Sequence, residues 1–269
     1  TQQVDDLFDL GGGGGLDAWL RRDSFGRAWY SSVKHVKVQL PGPKANYAGN
    51  GSKAYSDAMT AAGESSLNYD RILTLAAGTV TGSTAYAFLN SRKSHYNGLP
   101  SKSIAHHELY HNMGLNHAER WESYPDSRGS NGSSVEYGDG GDSLGGGSRE
   151  GQSHINAYYK RRLDYLVEAN GEIVEASNGG TYRIFDHTNG DLSPSGTELR
   201  AVRVPIEGST FNSDRQFWLS HTYAQGDAEQ QAGIQIHTSR QNRNDRSHRI
   251  DTTPGDHLSS DANGAWADI

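Results

Sequence analysis

The chain contains no cysteine. Disulfide bonds, cysteine metal ligands and cysteine nucleophiles are therefore excluded. This absence leaves the compartment open, because a domain of this size can be secreted without disulfides. Methionine is also scarce: the whole chain holds only Met59 and Met113.

Long apolar runs and an excess of positive charge are absent as well. Hydrophobic residues make up 33% of the chain and the mean hydropathy is -0.77. No run of about 18 apolar residues occurs, so no transmembrane helix is expected. The formal net charge of -7 argues against nucleic acid as the main partner. The 269 residues, with five Trp, six Phe and 14 Tyr, suffice for one large domain or two small ones.

Apolar spacing and turn residues predict both helices and strands. The first 30 residues show helical spacing in two pieces, interrupted by Gly11 to Gly15, and Pro100 and Ser101 are expected to start another helix. Further helices are predicted over 52–63 and 153–166, strands over 33–40, 71–75 and 85–88, and a long Gly-, Ser- and Asp-rich loop over 126–151. Short strand-like runs then follow at 182–185, 199–206, 217–224 and 233–238. The predicted fold class is α+β with a β-rich C-terminal region.

Residues 107–117 spell H-E-x-x-H-x-x-G-x-x-H. His107 and His111 are four residues apart, so on a helix they project from one face and can bind one zinc ion. Glu108 can reach a water on that metal without being a ligand itself. Gly114 permits the backbone to leave the helix and turn. His117 can then return as the third ligand.

A structural zinc site is the main alternative to a catalytic one. Structural sites are usually closed by a fourth protein ligand, whereas three histidines leave a position for water. Glu108 also favours catalysis, because a structural site has no need of a carboxylate beside its first ligand. We therefore expect Glu108 to act as the general base of a hydrolase.

The eleven-residue pattern is similar to that of the metzincin metalloproteases. The segments around it resemble the gametolysin-type peptidases among them. The likeness covers most of the chain and is carried by VDDLF at 4–8, LDAWLRRDSFGRAWY at 16–30, HHELYHNMGLNHAERW at 106–121, SVEYGDGGDSLGG at 134–146, SHINAYYKRRLDYL at 153–166 and GGTYRIF at 179–185.

This resemblance implies a fold, a site and an activity. His107, His111 and His117 would bind Zn²⁺ and Glu108 would be catalytic. A metzincin-like catalytic domain over 1–171, with a twisted mixed sheet beside the active-site helix, would be followed by a β-rich region over 172–269. The protein would be a secreted, monomeric endopeptidase acting on protein or peptide substrates.

One part of the family's pattern is altered. Metzincins place a methionine in a tight turn beneath the zinc, but neither methionine of this chain lies after His117. Leu144 occupies the expected position in residues 134–146. Because leucine is apolar and similar in volume, we expect the floor of the site to remain filled. Tyr110, where many relatives have a small residue, would need extra room or a hydrogen-bond partner for its hydroxyl.

Several other polar residues admit a functional and a structural interpretation. His106 lies about 100° around the helix from His107, so we expect it to be exposed or to support the ligands from behind. His154 either lines the cleft or is a polar residue at a helix start. Asp139 and Asp142 could bind Ca²⁺, although turn hydrogen bonding explains them more simply. The basic run 160–162 is expected on a solvated helix face.

Two further functions remain open on the sequence. The first is a catalytically weak or silent zinc-containing module that binds an extracellular or cell-wall polymer. The altered methionine turn gives it some support, and Glu108 counts against it. The second is a zinc hydrolase that acts on a non-protein amide.

Overall fold

A computed structural model describes most of the chain, and its contacts group the residues into two compact units. The described residues are 2–122, 132–146, 153–176, 179–188, 198–206, 216–222, 233–239 and 246–250. Unit 1 comprises Thr1–Trp19 and Trp29–Asn116, and unit 2 comprises Leu20–Ala28 and His117–Ile269. The domain boundary predicted between residues 171 and 172 stays a prediction.

Five α-helices lie in the described part of the chain. They are α1 (Gln2–Phe8), α2 (Leu16–Asp23), α3 (Gly51–Ala62), α4 (Lys102–Asn112) and α5 (Ala157–Arg162), and short 3-10 helices span Lys44–Tyr47, Ser66–Asn68 and Glu168–Asn170. The glycine run separates α1 from α2, as predicted. Helix α3 begins where the Asn50 side chain accepts a hydrogen bond from the amide of Lys53, and it ends at Gly63 in the left-handed conformation.

Unit 1 contains a three-stranded sheet beside helix α4. Its strands are β1 (Ile72–Leu75), β2 (Ala85–Ala87) and β3 (Lys93–Tyr96), in the order β1-β3-β2. Strand β3 pairs parallel with β1 and antiparallel with β2. Leu7, Phe8 and Leu16 pack with Tyr96 and Leu109 in one core cluster. The core therefore joins the N-terminal helices to the sheet and to the helix that carries the zinc motif.

The predicted strand over 33–40 is wrong, because the structure has no strand there. Val33 packs against the core cluster of unit 1, whereas Val36 is 48% exposed. Alternating apolar residues indicate which side chains can be buried, but a strand also needs a neighbouring strand with which to form a ladder. The described sheet of unit 1 pairs β1, β2 and β3 only with one another.

Unit 2 is built around a seven-stranded mixed sheet. Its strands are β4 (Ala118–Glu122), β5 (Ser133–Val135), β6 (Ile173–Glu175), β7 (Ala201–Pro205), β8 (Gln216–Thr222), β9 (Gly233–Ser239) and β10 (Ser247–Ile250), in the order β5-β4-β10-β9-β8-β7-β6. The β-rich character predicted after residue 172 is confirmed, although residues 182–185 form no strand. Strand β10 pairs parallel with β4, so the end of the chain supports the strand that follows His117.

Helix α5 is shorter than predicted, and the prediction that residue 160 faces solvent is wrong. Asn156 caps the helix by accepting a hydrogen bond from the amide of Tyr159. The Lys160 side chain is fully buried, with its Nζ atom 3.1 Å from Oδ1 of Asp23. It also donates to the carbonyl of His187. A buried ammonium is tolerated when a carboxylate pairs with it and its remaining protons have acceptors.

The described residues therefore form an α+β structure with two mixed sheets and few helices, as the sequence predicts. Among them, no helix has the length and apolar character required to span a bilayer.

Candidate metal centre

Helix α4 presents the first two histidines of the motif from one face. The helix begins at Ser101, whose side chain accepts a hydrogen bond from the amide of Ile104. The Nε2 atoms of His107 and His111 lie 3.0 Å apart, and the two ring planes are almost perpendicular, at 89°. Two imidazole nitrogens on one tetrahedral zinc ion are about 3.3 Å apart, given zinc–nitrogen bonds of 2.0–2.1 Å. The pair therefore has nearly the spacing of bound ligands.

A glycine turn at the end of α4 brings the third histidine to the same place. Gly114 has a φ of +90°, and its amide donates to the carbonyl of His111 over 2.9 Å. An L-residue with a side chain rarely adopts this conformation. The ligand nitrogens of His107, His111 and His117 all lie within 4.8 Å of one another. These three residues, all within one continuous segment, form a group that could hold a metal ion.

Two of the imidazoles have partners that define which ring nitrogen is available. The Nδ1 atom of His111 is 2.7 Å from the carbonyl oxygen of Leu115. Since a carbonyl can only accept, Nδ1 must carry the proton and Nε2 is left as the metal-binding nitrogen. The Nδ1 atom of His117 is likewise 2.7 Å from Oε1 of Glu136. The sequence predicts a need for such acceptors, but only the structure identifies them.

Glu108 is buried beside these ligands on α4 and is 7% exposed. Its Oε2 atom has no hydrogen-bond partner among the described residues. Burial raises the pKa of its carboxyl group to about 8, because desolvation disfavours the charged form. A cation held by the adjacent imidazoles would lower this pKa again, since an opposite charge favours the ionised carboxylate.

The donor set fits zinc. Neutral imidazoles suit zinc and other late first-row metals, and three of them leave a fourth tetrahedral position. Burial also lowers the pKa of His117, against the opposing influence of Glu136, which favours the neutral form that a metal ligand requires.

Leu144 is fully buried and lies in a segment that contacts the strand following His117. Its carbonyl oxygen accepts a hydrogen bond from the amide of Ala118 over 3.0 Å, one residue beyond the third ligand. Its own amide donates to Asp142. The residue at the altered methionine position is therefore an ordered part of unit 2.

His106 and Tyr110 are both buried on helix α4. The exposed position considered for His106 is wrong, because its ring is buried in contact with the rings of Trp19 and Tyr110, with centroid distances of 4.2 and 4.4 Å and planes tilted by 40° and 52°. Tyr110 is thus accommodated by aromatic packing within unit 1. The rotation of His106 away from His107 around the helix is compatible with this burial, since that face meets the core and not solvent.

The acidic pair that suggested calcium makes hydrogen bonds typical of turns. Asp139 accepts from the amide of Gly141, and Asp142 accepts from the amide of Leu144, in each case two residues further on. Asp139 also pairs with His237 at 2.8 Å. Among the residues that the structure describes, only the three motif histidines form a group that could hold a metal. Calcium stays a prediction.

His154 lies in the interior of unit 2, 3% exposed. Its Nδ1 atom is 2.8 Å from Oδ1 of Asp23. It lines a small polar cavity together with Asp139, Asp142 and Asn156. The helix that follows is capped by Asn156, so His154 does not perform that role. Whether it borders a substrate cleft stays a prediction.

No protein-family model, curated protein or solved structure matches this chain. The resemblance to the gametolysin-type peptidases therefore rests only on the sequence segments between residues 4 and 185.

Proposed function

We propose that this protein is a secreted zinc-dependent endopeptidase of the metzincin kind. The observation that carries the proposal is the buried Glu108 carboxyl group on the helix that also bears His107 and His111, two of the three imidazoles that could hold one metal ion. A site that only stabilises the fold gains nothing from a carboxylate whose buried oxygen is left without a hydrogen-bond partner, because that arrangement costs about 1–3 kcal/mol. A hydrolase uses such a group as its general base.

Each residue of the site has a defined role in this proposal. His107, His111 and His117 would each hold zinc through one ring nitrogen. When bound, zinc would supply a Lewis acid that polarises the scissile carbonyl and acidifies water. Glu108 would accept a proton from the attacking water at its buried carboxylate and then transfer it to the leaving nitrogen.

The surroundings support these roles. Leu115 and Glu136 hold the Nδ1 atoms of two ligands, so that the opposite nitrogens point toward the metal position. The low exposure of Glu108 strengthens its interaction with charge developing nearby, because little water screens it. The choice of protein substrates and of an extracellular setting rests on the resemblance of the sequence motifs.

The proposal is tested by one isosteric substitution. Glu108→Gln keeps the size of the side chain but cannot accept a proton, so casein hydrolysis should fall by about 10²- to 10⁴-fold, the usual contribution of a general base. Zinc content, measured by mass spectrometry of the purified protein, should stay at the native value because Glu108 is not a ligand. Glu175→Gln, on an exposed residue of β6, is the matched control and should keep full activity.

Two outcomes would contradict the proposal. Native protein that contains zinc yet does not hydrolyse casein would favour the polymer-binding module instead. Hydrolysis that survives in Glu108→Gln would show that another group is the base.

A further inference from the structure

The third ligand, His117, is contacted by two consecutive residues that follow strand β5. Oε1 of Glu136 lies 2.7 Å from Nδ1 of His117. The ring of Tyr137 covers the His117 ring, with centroids 3.9 Å apart and planes 37° from parallel. The Glu136 contact constrains the direction in which Nδ1 points, and the Tyr137 contact constrains the orientation of the ring plane.

The backbone places these two side chains by means of an unusual turn. Tyr137 has a φ of +60°, a conformation that residues with side chains rarely adopt. The following Gly138 donates its amide to the carbonyl of Val135 over 3.1 Å. A β-carbon at Gly138 would lie 2.7 Å from Cβ of Arg120 on strand β4. The turn is thus folded closely against the strand that begins after His117.

The main chain of His117 is held separately. Its carbonyl oxygen accepts a hydrogen bond from the hydroxyl of the buried Tyr159 over 2.9 Å, and the amide of Ser247 donates to the same hydroxyl over 3.0 Å. Strand β5, which leads into the Glu136 turn, pairs antiparallel with β4. The backbone of His117 thus has partners of its own, in addition to the contacts that Glu136 and Tyr137 make with its ring.

The backbone strain at Tyr137 and the exposure of the Glu136 and Tyr137 side chains indicate the role of these two residues. The Glu136 side chain is 58% exposed and Tyr137 is 45% exposed, so neither residue contributes much to a core. A left-handed tyrosine whose ring gains little burial is costly unless its position serves a site. An exposed ion pair also adds little stability in water. Both contacts are instead explained by a role in orienting the His117 ring.

We propose that Glu136 and Tyr137 are a positioning pair that orients the His117 ring for metal binding. This inference rests on the proposed role of His117 as a metal ligand. Glu136 holds the proton on Nδ1, so that Nε2 carries none and can act as the ligand atom, and Tyr137 limits rotation of the ring about its bond to Cβ. Ordering a ligand before the metal arrives reduces the entropy lost on binding.

The test measures zinc affinity by competition with a chromophoric chelator, using the full chain. Glu136→Ala should weaken zinc binding by about 10- to 100-fold, the usual effect of removing a group that orients a ligand. Glu136→Gln should recover part of this loss, because its amide oxygen can still accept from Nδ1. Glu122→Gln removes a carboxylate from the Arg120 pair on β4 and should bind zinc as the native chain does.

Tyr137 is tested with two variants that separate its ring from its backbone. Tyr137→Phe keeps the stacked ring and should leave zinc affinity unchanged. Tyr137→Asn removes the ring but tolerates the left-handed backbone, and should weaken binding several-fold.

A structural role would give a different result. Unfolding of the zinc-free proteins by urea should be the same for the native chain and Glu136→Ala. A loss of zinc affinity that is matched by a loss of zinc-free stability would overturn the inference, and so would native affinity in Glu136→Ala. Because zinc binding is the readout, absence of casein hydrolysis would contradict the proposed function and leave this inference standing.

Discussion

Glu108 and His95 show burial acting in opposite directions on an acid and a base. Burial raises the pKa of Glu108 to about 8 and, helped by the nearby charge of Lys93, lowers the pKa of His95 to about 4. In both cases the neutral form is favoured because the charged form loses its hydration. Glu108 lies next to histidines that can bring a cation to it, whereas His95 lies among Tyr55, Tyr86 and Phe88.

His95 should make the stability of the protein depend on pH. Neither ring nitrogen has a hydrogen-bond partner among the described residues. Because its pKa in the folded state is below the unfolded value of 6.5, the unfolded chain binds the proton first as the pH falls. The contribution of neutral His95 to the free energy of unfolding is fully present above pH 6.5 and is lost as the pH falls toward 4. At pH 4.5 the loss amounts to about 2 kcal/mol.

Urea unfolding at pH 7 and pH 4.5 checks this prediction. His95→Phe removes the titrating group but keeps an aromatic ring, so its free energy of unfolding should fall less between the two values than that of the native chain. An equal fall in both proteins would contradict the assignment. The comparison concerns the change with pH, so a constant difference in packing does not affect it.

The sequence predicts that two residues will lie together when chemistry and spacing act within one helical turn. His107 and His111, whose Nε2 atoms lie 3.0 Å apart, are of this kind, whereas the role of Glu108 stays a prediction. The sequence does not identify Glu136, because that residue meets His117 only through a turn placed by strand pairing. Lys160 is misplaced for a similar reason: its buried partner, Asp23, is far away in the chain, and a basic run alone predicts a solvated face.

The turn after helix α4 is the element on which the third ligand depends. Gly114 has a φ of +90°, and a β-carbon there would overlap the side chain of Asn90. Gly63, at the end of α3, has a φ of +65° but has open space around the corresponding position. Substitution of each glycine by alanine therefore separates two costs in stability: the strained backbone, which both positions share, and the steric clash, which occurs only at Gly114.

Gly114→Ala should therefore be more harmful than Gly63→Ala. We expect Gly63→Ala to lose about 1 kcal/mol of stability from the strained backbone, with native zinc affinity. Gly114→Ala should lose more stability, and its zinc affinity should fall at least about tenfold, or 1.4 kcal/mol. Urea unfolding and chelator competition measure the two quantities. Native zinc affinity in Gly114→Ala would show that the turn does not place His117.

Elements bounded by strong local signals were predicted correctly, whereas the pairing of strands that lie far apart in the chain was not. Helix α4 has a serine cap and a glycine after its end, so its limits follow from the sequence. The segment 33–40 has the alternation of a strand but no neighbouring strand in the sheet of unit 1. The parallel pairing of β10 with β4 joins segments that are far apart in the chain, and no local pattern predicts it.

At the scale of the whole molecule, the α+β class follows from the order of helical and strand-like segments. The arrangement of the seven strands does not, because each pairing is decided by register and burial across the sheet. The three motif histidines lie in a single short segment, so their proximity could be predicted before the fold. The contact of Glu136 with His117 depends on strand pairing within unit 2 and could not.

We propose that His107, His111 and His117 bind one zinc ion and leave one of its coordination positions open to water. Zinc-edge X-ray absorption of the full chain, loaded with one equivalent of zinc, measures this directly. We predict three imidazole nitrogens at about 2.0–2.1 Å and one further light atom from water, with one imidazole lost in His117→Ala. A site closed by a fourth protein ligand, or a spectrum unchanged in His117→Ala, would contradict the account.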